Sequence, residues 1–111
     1  MKVAVASKDG VTIDTHFGHA RQFLIYELSA EHCQLVEQRD IEQYCVAGQS
    51  ISSALGGILD AVADCQAVLV AMIGDPPREK LAASGVEAVS DYANQPITDA
   101  LHDYARRHSA A

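Results

Sequence analysis

Ala67-Val68-Leu69-Val70-Ala71-Met72-Ile73 is the most apolar run in the chain; it carries no charge and closes at Gly74. A continuous run of this kind, with β-branched residues and a turn residue at its end, reads as a central strand covered on both faces. The flanking residues fit that reading. Asp75 is placed to cap a following helix, Pro76 and Pro77 suit its first turn, and Gly85 stands where a left-handed terminating residue is wanted. Val86 to Val89 forms a brief last strand. Pro96 then opens a helix in which Ile97, Leu101, Tyr104 and Ala105 make an apolar stripe, and Arg106, Arg107 and His108 occupy its negative C-terminal end.

Upstream, Ile51, Ala54, Leu55, Ile58, Val62 and Cys65 recur at the helical period, while Asp60 and Asp64 lie off the stripe, which predicts a helix from about Ser50 to Cys65. Gly56-Gly57 costs roughly 1 kcal/mol per residue relative to alanine, and close packing of the helix backbone on a sheet would offset that cost. Tyr44 to Gly48 reads as a loop. Cys33 to Ile41 has the weak alternation and heavy charge of an edge strand. Ser29 to His32 is a tight connection, and Gln22 to Leu28 is apolar on both faces, as an internal strand should be. Val3-Ala4-Val5-Ala6 is a buried strand closed by the turn Ser7-Lys8-Asp9-Gly10.

The order β-β-β-α-β-α-β-α predicts an α/β fold with a mixed five-stranded sheet, antiparallel in its first half and parallel in its second, with helices on its faces. Residues 1–108 are read as one domain and 109–111 as a disordered tail. Ligands of such sheets gather beyond the carboxyl ends of the parallel strands, near a switch in strand order. That rule directs attention to residues 7–18 and 73–77.

A chain of 111 residues holds one core, and without tryptophan and with aromatics at 5% that core must be built from Ala, Val, Leu and Ile. The 8 basic and 15 acidic residues give a net charge of -7, which repels a phosphate backbone and argues against nucleic acid as a partner. Cys33, Cys45 and Cys65 form an odd set without CxxC spacing and suit a reducing compartment. The apolar stretch at the start is too short for a signal peptide, and no run reaches membrane-spanning length. A cytoplasmic protein with no membrane contact is the expectation.

Asp14-Thr15-His16-Phe17-Gly18-His19-Ala20 places two imidazoles around a glycine, in a loop at the rim of the predicted sheet. Such a pair is either solvated polar surface or the nitrogen half of a metal site. Cys45 could add a thiolate if folding brings its loop alongside, making an open site suited to zinc, copper or iron, with thiolate favouring iron-sulfur chemistry. It could equally be an inert thiol. Cys33 and Cys65 read as small core residues, and His32, His102 and His108 as surface residues. Nucleophile-elbow and P-loop motifs do not occur. Asp9, Asp14 and Asp75 could meet around magnesium for hydrolase or nuclease chemistry, although turn and cap roles are simpler explanations.

Met1 to Ser7 with Asp9-Gly10, then His16-Phe17-Gly18-His19-Ala20, Phe23 to Glu27, Tyr44-Cys45, Leu59 to Gly74 and Tyr92-Ala93 together resemble the dinitrogenase iron-molybdenum cofactor family, which includes NifX, NafY and the C-terminal domain of NifB. The resemblance covers nearly the whole chain, and the His-Phe-Gly element is its most specific part. It implies a ribonuclease-H-like fold and a non-enzymatic carrier of an iron-sulfur cluster or iron-molybdenum cofactor precursor in nitrogenase cofactor biosynthesis, with nitrogenase-assembly proteins as partners. It further implies that His16 is the cluster-associated histidine, that Phe17 and Gly18 shape its loop, that His19 extends the motif, and that Cys45 is the second metal ligand. The sequence holds no Cys-x3-Cys-x2-Cys motif, so carriage rather than synthesis is expected. The alternatives are the magnesium hydrolase above and a regulatory or assembly module that holds no cluster.

Overall fold

The computed structural model describes residues 1–29 and 32–108, so the expected tail and the centre of the Ser29 to His32 connection lie outside the described residues. In chain order the strands are β1 (Lys2–Val5), β2 (Gln22–Leu28), β3 (Cys33–Asp40), β4 (Cys45–Val46), β5 (Gln49–Ser50), β6 (Ala67–Leu69) and β7 (Glu87–Val89). The helices are α1 (Ser52–Ala61), α2 (Asp75–Ala83) and α3 (Ile97–His108). Five strands make one mixed sheet in the order β3-β2-β1-β6-β7, and β4 with β5 forms a separate hairpin. β2 runs antiparallel to both of its neighbours, whereas β1, β6 and β7 are parallel, so the sheet changes character at β1.

Alternation along the inner strands divides the core into two layers. Val3, Val5, Leu24, Tyr26 and Leu69 point to the face covered by Ile97, Leu101 and Tyr104 of α3. Ala4, Phe23, Ile25 and Val68 point to the other face, beneath Ile58 of α1 and Leu81 of α2. Because side chains in a strand alternate sides, a run that is apolar at every position can feed both layers at once. The predicted stripe of α3 is the stripe that is buried. No helix among the described residues is long and apolar enough to cross a membrane.

Several local expectations need correction. The central strand is Ala67–Leu69 only; Val70 N–H still bonds the Val89 carbonyl of β7, and from Ala71 onward the backbone takes partners outside the sheet. The first helix is shorter than its stripe, ending at Ala61, and Val62 and Cys65 are buried in the turn that follows. Tyr44 to Gly48 is not an open loop, since Cys45 and Val46 pair with Ser50 and Gln49. Its turn residues Ala47 and Gly48 both have positive φ (52° and 80°), the type I′ geometry that matches strand twist in a two-residue hairpin. Gly74, not Asp75, caps α2, and Asp75 sits inside the first turn without a side-chain cap bond, where its charge meets the positive helix end. Gly85, with φ of 83°, terminates α2 as expected, and Val86 N–H returns to the Leu81 carbonyl at 2.9 Å.

The edge strand has a structural duty at the far end of α1. Arg39 of β3 donates to the Ala61 carbonyl at 2.7 Å and forms a two-pronged bond to Asp64 at 2.6 and 2.9 Å. This guanidinium satisfies a carbonyl that the end of the helix leaves open and holds the Asp64 carboxyl well below the usual carboxylate range.

Gly56 and Gly57 are exposed on α1, and a methyl group added at either meets open space, so the expected close packing against the sheet does not occur. Their propensity cost is therefore uncompensated. Gly57→Ala is expected to stabilise the protein by about 0.5–1 kcal/mol, read as a rise in Tm by thermal denaturation.

Candidate functional site

Two hydrogen bonds locate the histidine loop. Ala71 N–H donates to the Thr15 carbonyl at 2.9 Å, and Phe17 N–H donates to the Met72 carbonyl at 2.8 Å. The segment just past β6 thus pairs with residues 15–17 in place of another strand. Phe17–His19 then forms one tight helical turn, closed by His19 N–H to the His16 carbonyl at 3.0 Å. Phe17 is buried and packs edge-on against Tyr44, ring centroids 5.9 Å apart, and against Phe23 at 6.3 Å. With Phe17 anchored inward, His16 and His19 are left on the surface, their rings nearly parallel at 12° with centroids 5.5 Å apart.

Cys45 reaches this turn through the hairpin. Ile51 N–H bonds the Tyr44 carbonyl at 2.6 Å, closing the base of the hairpin, and Tyr44 packs on Phe17. A Cβ built on Gly18 would lie 2.8 Å from the Cys45 Cβ and 3.7 Å from its Sγ, so only glycine allows this approach. His16, Phe17, Gly18, His19 and Cys45 consequently line one cleft of about 250 Å³. Its remaining walls come from Tyr44 and Ser50, from Met72 to Gly74 beyond β6, and from Pro76 and Pro77 at the start of α2.

Both rim segments expected from the strand-end rule contribute to this cleft, together with a hairpin that the rule does not point to. Met72 is the residue that the sequence reading passes over. Within an apolar run it reads as core, yet it is 58% exposed at the mouth of the cleft, because its strand has already ended. Position just past the end of a parallel strand was the available signal.

The other sequence candidates are not brought together. Among the described residues, no three His, Cys, Asp or Glu side chains are close enough to hold one metal ion. The magnesium reading of Asp9, Asp14 and Asp75 is overturned by this separation and by the work these groups already do. Asp9 accepts bonds from Val11 and Thr12 N–H, each at 2.8 Å, and from the Thr12 and Ser7 hydroxyls. The Thr12 and Val11 amides lead in lowering its pKa to about 2. Asp14 accepts from Lys8 N–H at 2.9 Å and from the Thr15 hydroxyl at 2.8 Å. Cys65 is buried, and desolvation, helped by the Asp64 carboxylate, pushes its thiol up to about 12, which leaves it protonated and inert. Cys33 is only half-buried, at the end of the edge strand next to one core layer. His32, His102 and His108 are exposed, and the His108 ring stacks on Tyr104 with centroids 4.0 Å apart.

Comparisons with known proteins agree with this architecture. The family model described as dinitrogenase iron-molybdenum cofactor matches residues 1–107. The chain is 40% identical over 102 residues to the FeMo cofactor biosynthesis protein NifB of Herbaspirillum seropedicae, covering 92% of this chain and 19% of that protein. It is 37% identical over 102 residues to the protein of the same name from Azotobacter vinelandii, covering 89% and 20%. The chain therefore spans about a fifth of the length of these relatives. Among solved structures, the crystal structure of PH0822 superposes with a TM-score of 0.69 at 21% identity, covering 96% of this chain and 91% of that one. The NMR structure of Thermotoga TM1290 gives 0.61 at 15% identity, covering 95% and 87%. At these identities the two structures bear on the fold alone.

Gly18→Ala is expected to force the hairpin off the turn, costing about 1–3 kcal/mol in thermal unfolding and speeding alkylation of Cys45 by iodoacetamide. A second prediction concerns acid. Asp9 has a folded pKa below its ordinary 3.8, so the stability it contributes is present above that value and is lost as the pH falls toward about 2. Asp9→Ala should accordingly lower Tm near neutral pH and change it little at about pH 2, measured by circular dichroism melts across that range.

Proposed function

The chain belongs to the dinitrogenase iron-molybdenum cofactor family, and on that premise we propose that it binds an iron-sulfur precursor of a nitrogenase cofactor and hands it on without chemical turnover. The observation that carries this reading is the donor set of the cleft. One thiol and two imidazoles line a single volume, yet these three donors are not gathered tightly enough to hold one ion. A multinuclear cluster presents several metal atoms at separate positions, so it can use donors spread around a cleft where a single ion cannot. Thiolate and imidazole are also the ligand types that iron clusters accept.

In this reading Cys45 and His16 are the metal ligands, His19 assists beside His16, Phe17 anchors the turn and Gly18 keeps Cys45 close. Few ligands on an exposed rim favour release as well as capture, which a carrier needs. The cargo is an iron-sulfur cluster or iron-molybdenum cofactor precursor, and the recipients are nitrogenase-assembly proteins that dock over the open side of the cleft. Three free cysteines support a reducing, cytoplasmic setting. The sheet order, with a central β1 flanked by antiparallel β2 and parallel β6, supports a ribonuclease-H-like classification.

Anoxic titration of the metal-free protein with an isolated iron-sulfur cluster, followed by absorbance and electron paramagnetic resonance, tests the proposal. Saturable binding is expected, weakened at least about tenfold in Cys45→Ala and in His16→Ala and unchanged in Cys33→Ala. Binding that is unaffected by both of the first two substitutions would remove this cleft from consideration.

A further inference from the structure

A second cleft, of about 430 Å³, shares His19 with the first and opens between the loop after β1 and the start of β2. Lys8, His19, Arg21 and Gln43 line it, with the buried hydroxyl residues Ser7 and Thr15. Its charge runs against that of the whole chain, which carries a net -7. Lys2, Arg39, Arg106 and Arg107 each sit within ion-pair distance of a carboxylate, whereas Lys8 and Arg21, like Arg78 and Lys80 elsewhere, form no ion pair among the described residues, and only Lys8 and Arg21 share a cleft.

Both cations are positioned without being neutralised. The Arg21 Nε donates to the Gln43 side-chain oxygen at 3.2 Å, and its carbonyl accepts from Ile41 N–H at 2.9 Å, which fixes the residue at the mouth of β2. Its terminal guanidinium nitrogens make no hydrogen bond to the described residues. Lys8 is held by its backbone, through the 2.9 Å bond to Asp14, and its ammonium group makes no hydrogen bond or ion pair to the described residues. No carboxylate among the described residues lines the cleft; Asp9 spends both of its oxygens on the turn, and Asp14 is held behind the lining by the Lys8 amide and the Thr15 hydroxyl, both on its Oδ1. We propose that this cleft binds a small multivalent oxyanion, a polycarboxylate or phosphate, through the guanidinium of Arg21, the ammonium of Lys8 and the imidazole of His19. The planar fork of arginine matches two oxygens of such a group, and lysine adds a point charge from a second side. Lys8 and Arg21 line this cleft only, whereas His19 is shared with the thiol-lined cleft, so anion binding is read on the metal-free chain.

The test uses the 111-residue chain, metal-free, in heteronuclear NMR titrations with citrate and, separately, inorganic phosphate, at an ionic strength held constant with sodium chloride. Saturable shifts confined to the resonances of Lys8, His19, Arg21 and their neighbours are expected. Arg21→Gln and Lys8→Gln should each weaken binding at least about fivefold. A response to citrate alone identifies a carboxylate ligand, one to phosphate alone a phosphate ligand, and one to both a site for either; each supports the proposal. No saturable shift with either anion, or shifts that persist in the Lys8→Gln/Arg21→Gln double variant, would overturn it.

Discussion

The bonds between the end of the central parallel strand and the histidine loop are the constraint on which the candidate site depends. A buried strand that leaves its ladder must find partners for its backbone groups or lose about 1–3 kcal/mol for each one left unsatisfied. After Leu69 the chain meets that demand step by step, with Val70 N–H on the Val89 carbonyl, Ala71 N–H on Thr15 and the Met72 carbonyl on Phe17. The loop is thereby treated as an extension of the sheet. Two exposed imidazoles inherit the rigidity of a strand that is buried on both faces.

A second set of contacts sets what stands opposite those imidazoles. Phe17 fills the space between Phe23 of the sheet and Tyr44 of the hairpin, so one aromatic ring ties the turn to the core and to the element carrying Cys45. Gly18 removes the side chain that would keep them apart. The resulting cleft has soft donors and mostly apolar walls, while the carboxylates of the neighbouring loop are engaged in turn hydrogen bonds. On the other side of the loop the balance reverses. His19 borders a cleft whose charged side chains are both cationic, so one short turn separates two chemically different surfaces.

Local patterning was enough to reveal the layered sheet and its three helices, since each depends on periodicity or on a residue with one strong conformational preference. The stripe of α3 and the left-handed Gly85 are examples. The ends of elements were harder to read. Ala67 to Ile73 looks uniform because apolarity does not record where ladder bonds stop, and Gly56-Gly57 looks like a packing feature until its surroundings are known to be open. The hairpin escaped notice because its strands have two residues each and its first turn position is an alanine at positive φ, a conformation that residue rarely adopts.

The sequence by itself therefore determined the α/β class, the five-stranded mixed sheet, the two apolar faces of β2 and the position of the His16 to His19 turn at the rim of that sheet. Each of these follows from residues close together in the chain. Only the tertiary structure decided that Cys45 lies against Gly18, that Met72 stands at the mouth of the cleft, that Asp9, Asp14 and Asp75 do not converge, and that Lys8 and Arg21 share a second cleft. Those facts depend on where separate loops end up once β1 and β6 pair. Strand pairing is settled by burying both faces of the sheet at once, a condition that no single stretch of chain contains.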